Sequence, residues 1–381
     1  MRPVPTGPVR SLPAVSLLAG GLLATGAASI AWHYSTVLLH PSWKPGLPER
    51  VLHGGPDAVT LRRTRLSAQP GVWGLRSPAG LSVVGEVLRR DRQVVVRRLL
   101  DGPEPAEGPA VLDVGPFDPD PGDRGLGFSE VEIPTELGPA AAWDVPAPTG
   151  SPHDDVWAIC VHGRGGTRRE ALRILPTLHD LGLHALVPAY RGDADAPAPP
   201  DGCSHLGDTE WRDVEAAVAW ARERGARRFV LVGWSMGAAI GGAFLDRSGY
   251  AADVAAVVWD APMLDWRRVL RRQAANRGLP PSLSGVAALF AEQRIGIDLD
   301  RFDLLRHTPA VTPPTLLLHS DRDTAVPVAL SRDLAASAHR RGWPVTYREF
   351  TGTEHTAGWN ADPEGYALAV TGFLRAALRE G

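Results

Sequence analysis

Residues 228–245 read RFVLVGWSMGAAIGGAFL. Arg228–Val232 is a short apolar run of the kind that fills a buried parallel strand. Ser235–Leu245 is rich in small apolar residues and predicts a helix. Between them stands Gly233–Trp234–Ser235–Met236–Gly237, a serine framed by two glycines. A chain that passes from strand to helix in so few residues strains the backbone at the serine, and neighbours without Cβ leave room for the turn. Such a turn lifts the Ser235 hydroxyl clear of the sheet. It also sets it at a helix N-terminus, where free N–H groups and the helix dipole favour negative charge.

The same alternation extends on both sides. Val156–Val161 is a continuous apolar run, Thr167–Leu181 reads as a helix with a kink at Pro176, and His184–Pro188 as a strand. Asp208–Arg224 is amphipathic, with Trp211, Val214, Val218 and Ala221 on one side and Gly225 ending it. Ala255–Trp259, Thr315–Leu318 and Val345–Phe350 read as strands, and Glu364–Leu378 as a last helix opened by Pro363. Val131–Ile133 and Ala141–Val145 are short strand candidates ahead of these units. Repeated strand–helix units predict an α/β fold, a mostly parallel sheet with helices on both faces. Its working crevice lies at the carboxyl ends of the strands.

A serine hydroxyl is a weak nucleophile; it needs a base, and the base needs an orienting acid. After the later strands come Asp321–Arg322–Asp323–Thr324–Ala325–Val326–Pro327 and Gly352–Thr353–Glu354–His355. The chain order Ser235, Asp323, His355 is the one such a sheet requires. Asp260 and Asp321 are alternative acids, while His179, His184 and His339 sit in helix or strand patterns and are poorer bases. An oxyanion hole needs two donors, and the backbone N–H groups of Met236 and of Arg164, in His162–Gly163–Arg164–Gly165–Gly166, are the candidates. The Arg164 guanidinium reads as solvated, with an anionic substrate group as the alternative contact, and His162 as structural. No metal or organic cofactor is implied, because no HExxH or clustered Cys/His pattern occurs.

Taken with Tyr190–Arg191, these motifs resemble the α/β-hydrolase superfamily over residues 126–381. The nearest resemblance is to membrane-anchored bacterial serine hydrolases of the esterase, lipase, thioesterase and peptidase kind. It implies an α/β-hydrolase fold with a helical cap at 263–307, where Leu279, Leu283, Val286, Leu289 and Phe290 line an apolar pocket mouth. The expected reaction is cleavage of a carboxylic ester or thioester through an acyl-enzyme, on a small-molecule or lipid-like substrate. A serine peptidase or amidase is the alternative. Prolyl oligopeptidases place a β-propeller before a similar hydrolase, and residues 35–125 are too short for one and show no blade-length repeat. A catalytically inactive, membrane-tethered binding module is a reading of another class, which the intact order of Ser235, Asp323 and His355 disfavours.

Upstream, residues 11–34 contain no Asp, Glu, Lys or Arg, with Arg2 and Arg10 before them and Trp32 and Tyr34 at their end. A helix of roughly 20 apolar residues spans a bilayer core. Residues 1–34 are therefore expected to be a signal anchor, with the catalytic domain outside the cytoplasm, or a cleaved signal that releases it, with a buried helix of the folded enzyme as the third reading. Residues 35–125 read as a small β-rich accessory region. Its strand candidates are Val59–Leu66, Gly71–Leu75, Leu81–Leu88 and Gln93–Leu100, and a Pro-, Gly- and Asp-rich loop or linker spans Asp101–Arg124.

Bulk numbers set limits. A hydrophobic fraction of 44% and a charged fraction of 22% allow a full core. A formal net charge of −3 gives no reason to expect nucleic acid as a partner. The clusters Arg62–Arg63–Arg65 and Arg267–Arg268–Arg271–Arg272 read as solvated faces. Cys160 and Cys203 do not make a disulfide scaffold.

Overall fold

The computed structural model describes residues 26, 28–41, 49–114 and 118–379. Six strands, β1 (Glu49–Gly54), β2 (Ala58–Arg62), β3 (Trp73–Ser77), β4 (Gly80–Arg90), β5 (Val94–Asp101) and β6 (Gly108–Asp113), form an antiparallel barrel closed in the order β1-β2-β5-β4-β3-β6. Closure leaves no strand edge unpaired. Inward residues Val51, Val59, Leu61, Trp73, Leu75, Val84, Ala110 and Leu112 fill it. The expected loop at Asp101–Arg124 contains β6, the strand that closes the barrel against β1 and β3. Gly108, Ala110 and Leu112 alternate inward, but only three short residues carry that signal inside a Pro- and Gly-rich stretch.

Eight further strands make the main sheet: β7 (Ser129–Thr135), β8 (Gly138–Val145), β9 (Val156–Val161), β10 (His184–Pro188), β11 (Arg228–Trp234), β12 (Val254–Asp260), β13 (Thr315–Ser320) and β14 (Val345–Phe350). Their order is β14-β13-β12-β11-β9-β10-β8-β7, with β9 to β14 mutually parallel and β7–β8 an antiparallel hairpin at one edge. Leaving β9, the chain first builds β10 on one side, then crosses to build β11 on the other. That reversal opens a crevice at the carboxyl ends of β9 and β11.

The helices are α1 (residues 28–39), α2 (Leu175–Asp180), α3 (Trp211–Arg222), α4 (Met236–Arg247), α5 (Trp266–Asn276), α6 (Pro281–Ile295), α7 (Ala329–Ala338), α8 (Gly358–Ala361) and α9 (Pro363–Ala377). Helices α3, α4 and α7 pack one apolar cluster on one face of the sheet; α2 and α9 pack another on the opposite face. This is the α/β-hydrolase fold. The helix expected over Thr167–Leu181 is split: a 3-10 turn covers Arg168–Arg173, and Pro176 stands in the first turn of α2 rather than at a kink. Proline fits there because a first-turn N–H has no helical partner to lose. Helices α5 and α6 form the cap.

Most of the expected anchor lies outside the described residues. Its last turns belong to α1, which buries Ala31, Leu38 and Leu39. Edge-on stacking of Trp32 against Phe290 in α6 joins it to the cap. Among the described residues no helix is long and apolar enough to cross a membrane.

Candidate active site

Ser235 sits between β11 and α4 with φ 52° and ψ −111°, a conformation that L-residues rarely adopt. A Cβ on Gly237 would stand 2.1 Å from Val161 O, and one on Gly233 would stand 2.7 Å from Gly237 C. Both glycines are therefore required by backbone approach. The Ser235 N–H donates to Asp260 O at 2.9 Å and Ser235 O accepts from Met263 N–H at 3.0 Å, which ties the strained turn to β12 and to the start of the cap.

His355 follows β14 and its Nδ1–H donates to Asp323 Oδ2 at 2.6 Å. That bond presents the other ring nitrogen to the crevice, where His355 and Ser235 line one cavity. Ser235 and His355 make no direct hydrogen bond among the described residues. Of the three acids weighed, Asp323 is the one that touches His355. Asp321 accepts from the Gly352 N–H at 2.6 Å, and Asp260 is buried beside Tyr366 (3.1 Å) and Arg173 (3.7 Å). Burial raises the Asp260 carboxyl to about 6.

Burial alone would also raise Asp323, but the His355 charge and the hydrogen bonds from both imidazoles outweigh it and hold the carboxyl well below the carboxylate range. Burial alone would lower His355, yet the Asp323 charge and hydrogen bond, with Asp260 and Glu170 nearby, raise it. The two shifts agree: both favour the imidazolium–carboxylate pair. His319, which the sequence reading left without a role, is a second imidazole on this acid. Its Nε2–H donates to Asp323 Oδ2 at 3.1 Å, and its Nδ1 accepts from Ser331 Oγ at 2.7 Å. Asp323 Oδ1 accepts the N–H groups of Ala325 and Val326.

The loop after β9 brings Arg164 to the same cavity, and Met236 begins α4. Neither backbone N–H meets a protein acceptor among the described residues, so both remain free to donate. The Arg164 side chain differs from both expectations. Its Nε donates to Leu38 O at 3.1 Å and a terminal nitrogen to Val37 O, so the guanidinium caps the carboxyl end of α1. His162 is structural, held by Gly163 O, Asp193 and a stacked Tyr190.

Behind Ser235 lies a buried charge cluster with no sequence signal. Arg173 donates to Thr356 O at 2.8 Å, next to His355, and lies 3.6 Å from Glu170. Glu170 in turn accepts the Gly163 N–H at 2.6 Å. In sequence Arg173 looks like an ordinary surface arginine of a helix.

The cavity over Ser235 and His355 holds about 280 Å³ and is lined mainly by apolar side chains, among them Val37, Leu38, Trp266, Leu279 and Leu283. Of the five cap residues expected at the mouth, Leu279 and Leu283 line it, Val286 and Leu289 are exposed, and Phe290 packs on Trp32. Helix α1 forms one wall of the cavity, so the end of the uncharged run packs as a helix of the folded enzyme. A second cavity, about 380 Å³, reaches Met236 from the far side of that wall, past Leu39, His40, Gly165, Gly166 and Tyr190.

Fold and constellation together define a serine hydrolase of the α/β-hydrolase superfamily. Residues 177–380 match the prolyl oligopeptidase family, and the chain belongs to that family. It carries a six-stranded barrel in front of the hydrolase, and residues 50–112 of that barrel region match a domain of unknown function, DUF8805. Among solved structures, an esterase from Pyrococcus furiosus is similar at 22% identity and TM-score 0.52, over 68% of this chain and 94% of that one. A bacterial membrane phospholipase A is similar at 21% identity and TM-score 0.50, over 67% and 89%. At these identities the likeness is one of fold. No curated protein matches. Both cysteines are free, and burial pushes the Cys160 thiol up.

Proposed function

We propose that this hydrolase cleaves carboxylic esters, or thioesters, with an apolar acyl group. In this reading Ser235 attacks the carbonyl, His355 takes its proton and returns it to the leaving group, and Asp323 fixes the imidazole tautomer. The N–H groups of Met236 and Arg164 bind the oxyanion, each worth about 3 kcal/mol of barrier. The observation that carries the ester reading is the apolar cavity beside Ser235 and His355, large enough for a short acyl chain. The second cavity, on the Met236 side, suits a more polar leaving group.

Peptide hydrolysis is the second reading, favoured by the family to which residues 177–380 belong. The test uses the full chain and its Ser235→Ala variant with a fluorophosphonate probe, then p-nitrophenyl acyl esters against aminoacyl p-nitroanilides. Labelling should vanish in the variant, and turnover should favour the esters. Anilide turnover above ester turnover would select the peptidase, and an unlabelled, folded wild type would sink both.

We infer further that the uncharged run 11–34, whose last turns pack on the cap as part of α1, tethers the enzyme to a membrane through its upstream part, with the catalytic domain outside the cytoplasm. Protease added to intact cells should then degrade the domain, and full protection would reverse the orientation.

A further inference from the structure

Where the barrel meets the hydrolase there is an open groove of about 630 Å³, separate from the cavities at Ser235. Three segments supply its arginines: Arg63 and Arg65 after β2, Arg90 and Arg92 at the β4–β5 turn, and Arg322 beside Asp323. The sequence reading had treated the first of these clusters as a solvated face.

The charges on this groove do not balance. Glu354 is its acidic residue, and Arg65 already engages it at 2.7 Å. Arg63 donates to the Asp91 backbone carbonyl, a neutral acceptor. The Asp91 carboxylate turns back on its own loop and accepts from the Gln93 and Val94 N–H groups. Among the described residues Arg90, Arg92 and Arg322 pair with no carboxylate, and Arg63 lies near the Asp91 carboxylate without bonding it. Arg97 stands beneath the floor, wholly buried. It donates to the carbonyls of Ser67, Gln69, Gly71 and Gly85 and to no acid. A buried guanidinium held by carbonyls alone keeps its full charge under the loop that lines the groove. Cations from three separate segments, above an uncompensated buried one, create a focused positive field.

We propose that this groove binds a ligand bearing closely spaced phosphate groups, at least two negative charges in all. Arginine forks match phosphate oxygens bidentately, and several forks from different directions suit several oxyanion groups better than one. The volume exceeds what a single phosphate fills. Such chemistry occurs both in free organic diphosphates and in anionic lipid headgroups.

The experiment is a calorimetric titration of the full chain with pyrophosphate at low ionic strength, where exposed charges are least screened. The wild type and Ser235→Ala should bind equally, because the site is independent of ester chemistry. That equality separates failure here from failure of the hydrolase reading. The Arg90→Ala/Arg92→Ala double variant, altered only at an exposed turn, should bind at least about tenfold more weakly. Arg322→Ala, on a different segment, should also weaken binding. Sedimentation with phosphatidylcholine vesicles doped with a phosphoinositide bisphosphate, beside phosphatidylcholine alone, then separates the sources. Since residues 11–34 can carry the chain to any bilayer, the readout is the gain over phosphatidylcholine alone: a gain that the double variant loses identifies a lipid headgroup, and pyrophosphate binding without a gain identifies a free ligand. Pyrophosphate binding that is absent, or equal in wild type and both arginine variants, overturns the proposal.

Discussion

The two domains treat buried charge in opposite ways. In the hydrolase, buried ions come in opposed sets: Arg191 with Asp213, Arg173 near Glu170 and Asp260, and Asp323 with His355 and His319. In the barrel, Arg97 is buried among carbonyl oxygens only. Opposed sets fix side-chain geometry and shift pKa values in a defined direction, which is what proton transfer requires. A cation ringed by carbonyls organises backbone instead, here the loop from Ser67 to Gly71.

That loop is where the domains meet. Gln69 Oε1 accepts the Glu354 N–H at 2.9 Å, immediately before His355. Arg65 reaches Glu354 and, at 2.9 Å, Thr324 Oγ1, immediately after Asp323. Val72 and Asn360 exchange hydrogen bonds of 2.8 Å, and a Cβ on Gly71 would stand 2.0 Å from Asn360 O. The barrel thus braces the loops that carry His355 and Asp323.

Substitutions can break this division of labour. The largest effect is expected from Asp323→Asn, a loss of about 10⁴-fold in kcat through the wrong tautomer, with Asp260→Asn far milder. A larger loss for Asp260→Asn would move the acid to β12. The same pair defines a pH test. The base must be neutral to act, and Asp323 raises His355, so the acid limb of the wild-type kcat profile should have its midpoint above 6.5. Residual activity of Asp323→Asn should titrate at lower pH, since the charge that stabilises the imidazolium is gone. A wild-type midpoint below 6.5 would contradict the pairing.

Arg65→Ala tests the barrel's share. Losing one brace should lower kcat by roughly tenfold with KM little changed, because misplaced catalytic groups slow chemistry more than binding. Arg65→Lys should recover part of it. An unchanged kcat would reduce the barrel to a passive neighbour. The smallest effect is expected at the α1 wall. Arg164→Gln keeps the backbone N–H but releases the carbonyls of Val37 and Leu38. It should raise KM for apolar esters by about threefold and spare kcat. A kcat loss instead would give the guanidinium a direct role.

How much was legible follows from the same contrast. The Ser235 turn could be read because its backbone is crowded: Val161 O forbids a side chain at 237, so glycine must appear there. Asp323 and His355 could be paired from the sequence because each follows a strand, and the fold brings the two side chains into contact. The closing strand β6 was hidden because its inward residues, Gly108, Ala110 and Leu112, include a single large apolar side chain in a stretch of prolines and glycines. Pro176 misled because proline fits a helix's first turn as well as a kink.

By itself, the sequence determined the α/β class, the serine turn and the order of its partners, since local backbone sterics and hydrophobic period write these into adjacent residues. Tertiary structure alone decided that α1 walls the pocket, that Arg164 caps it, that His319 shares Asp323, and that arginines from three segments face one groove. Each of these depends on side chains far apart in the chain, as with Arg164 and Leu38 or Arg65 and Thr324. Such contacts obey no local period, and only the folded chain brings their charges and carbonyls together.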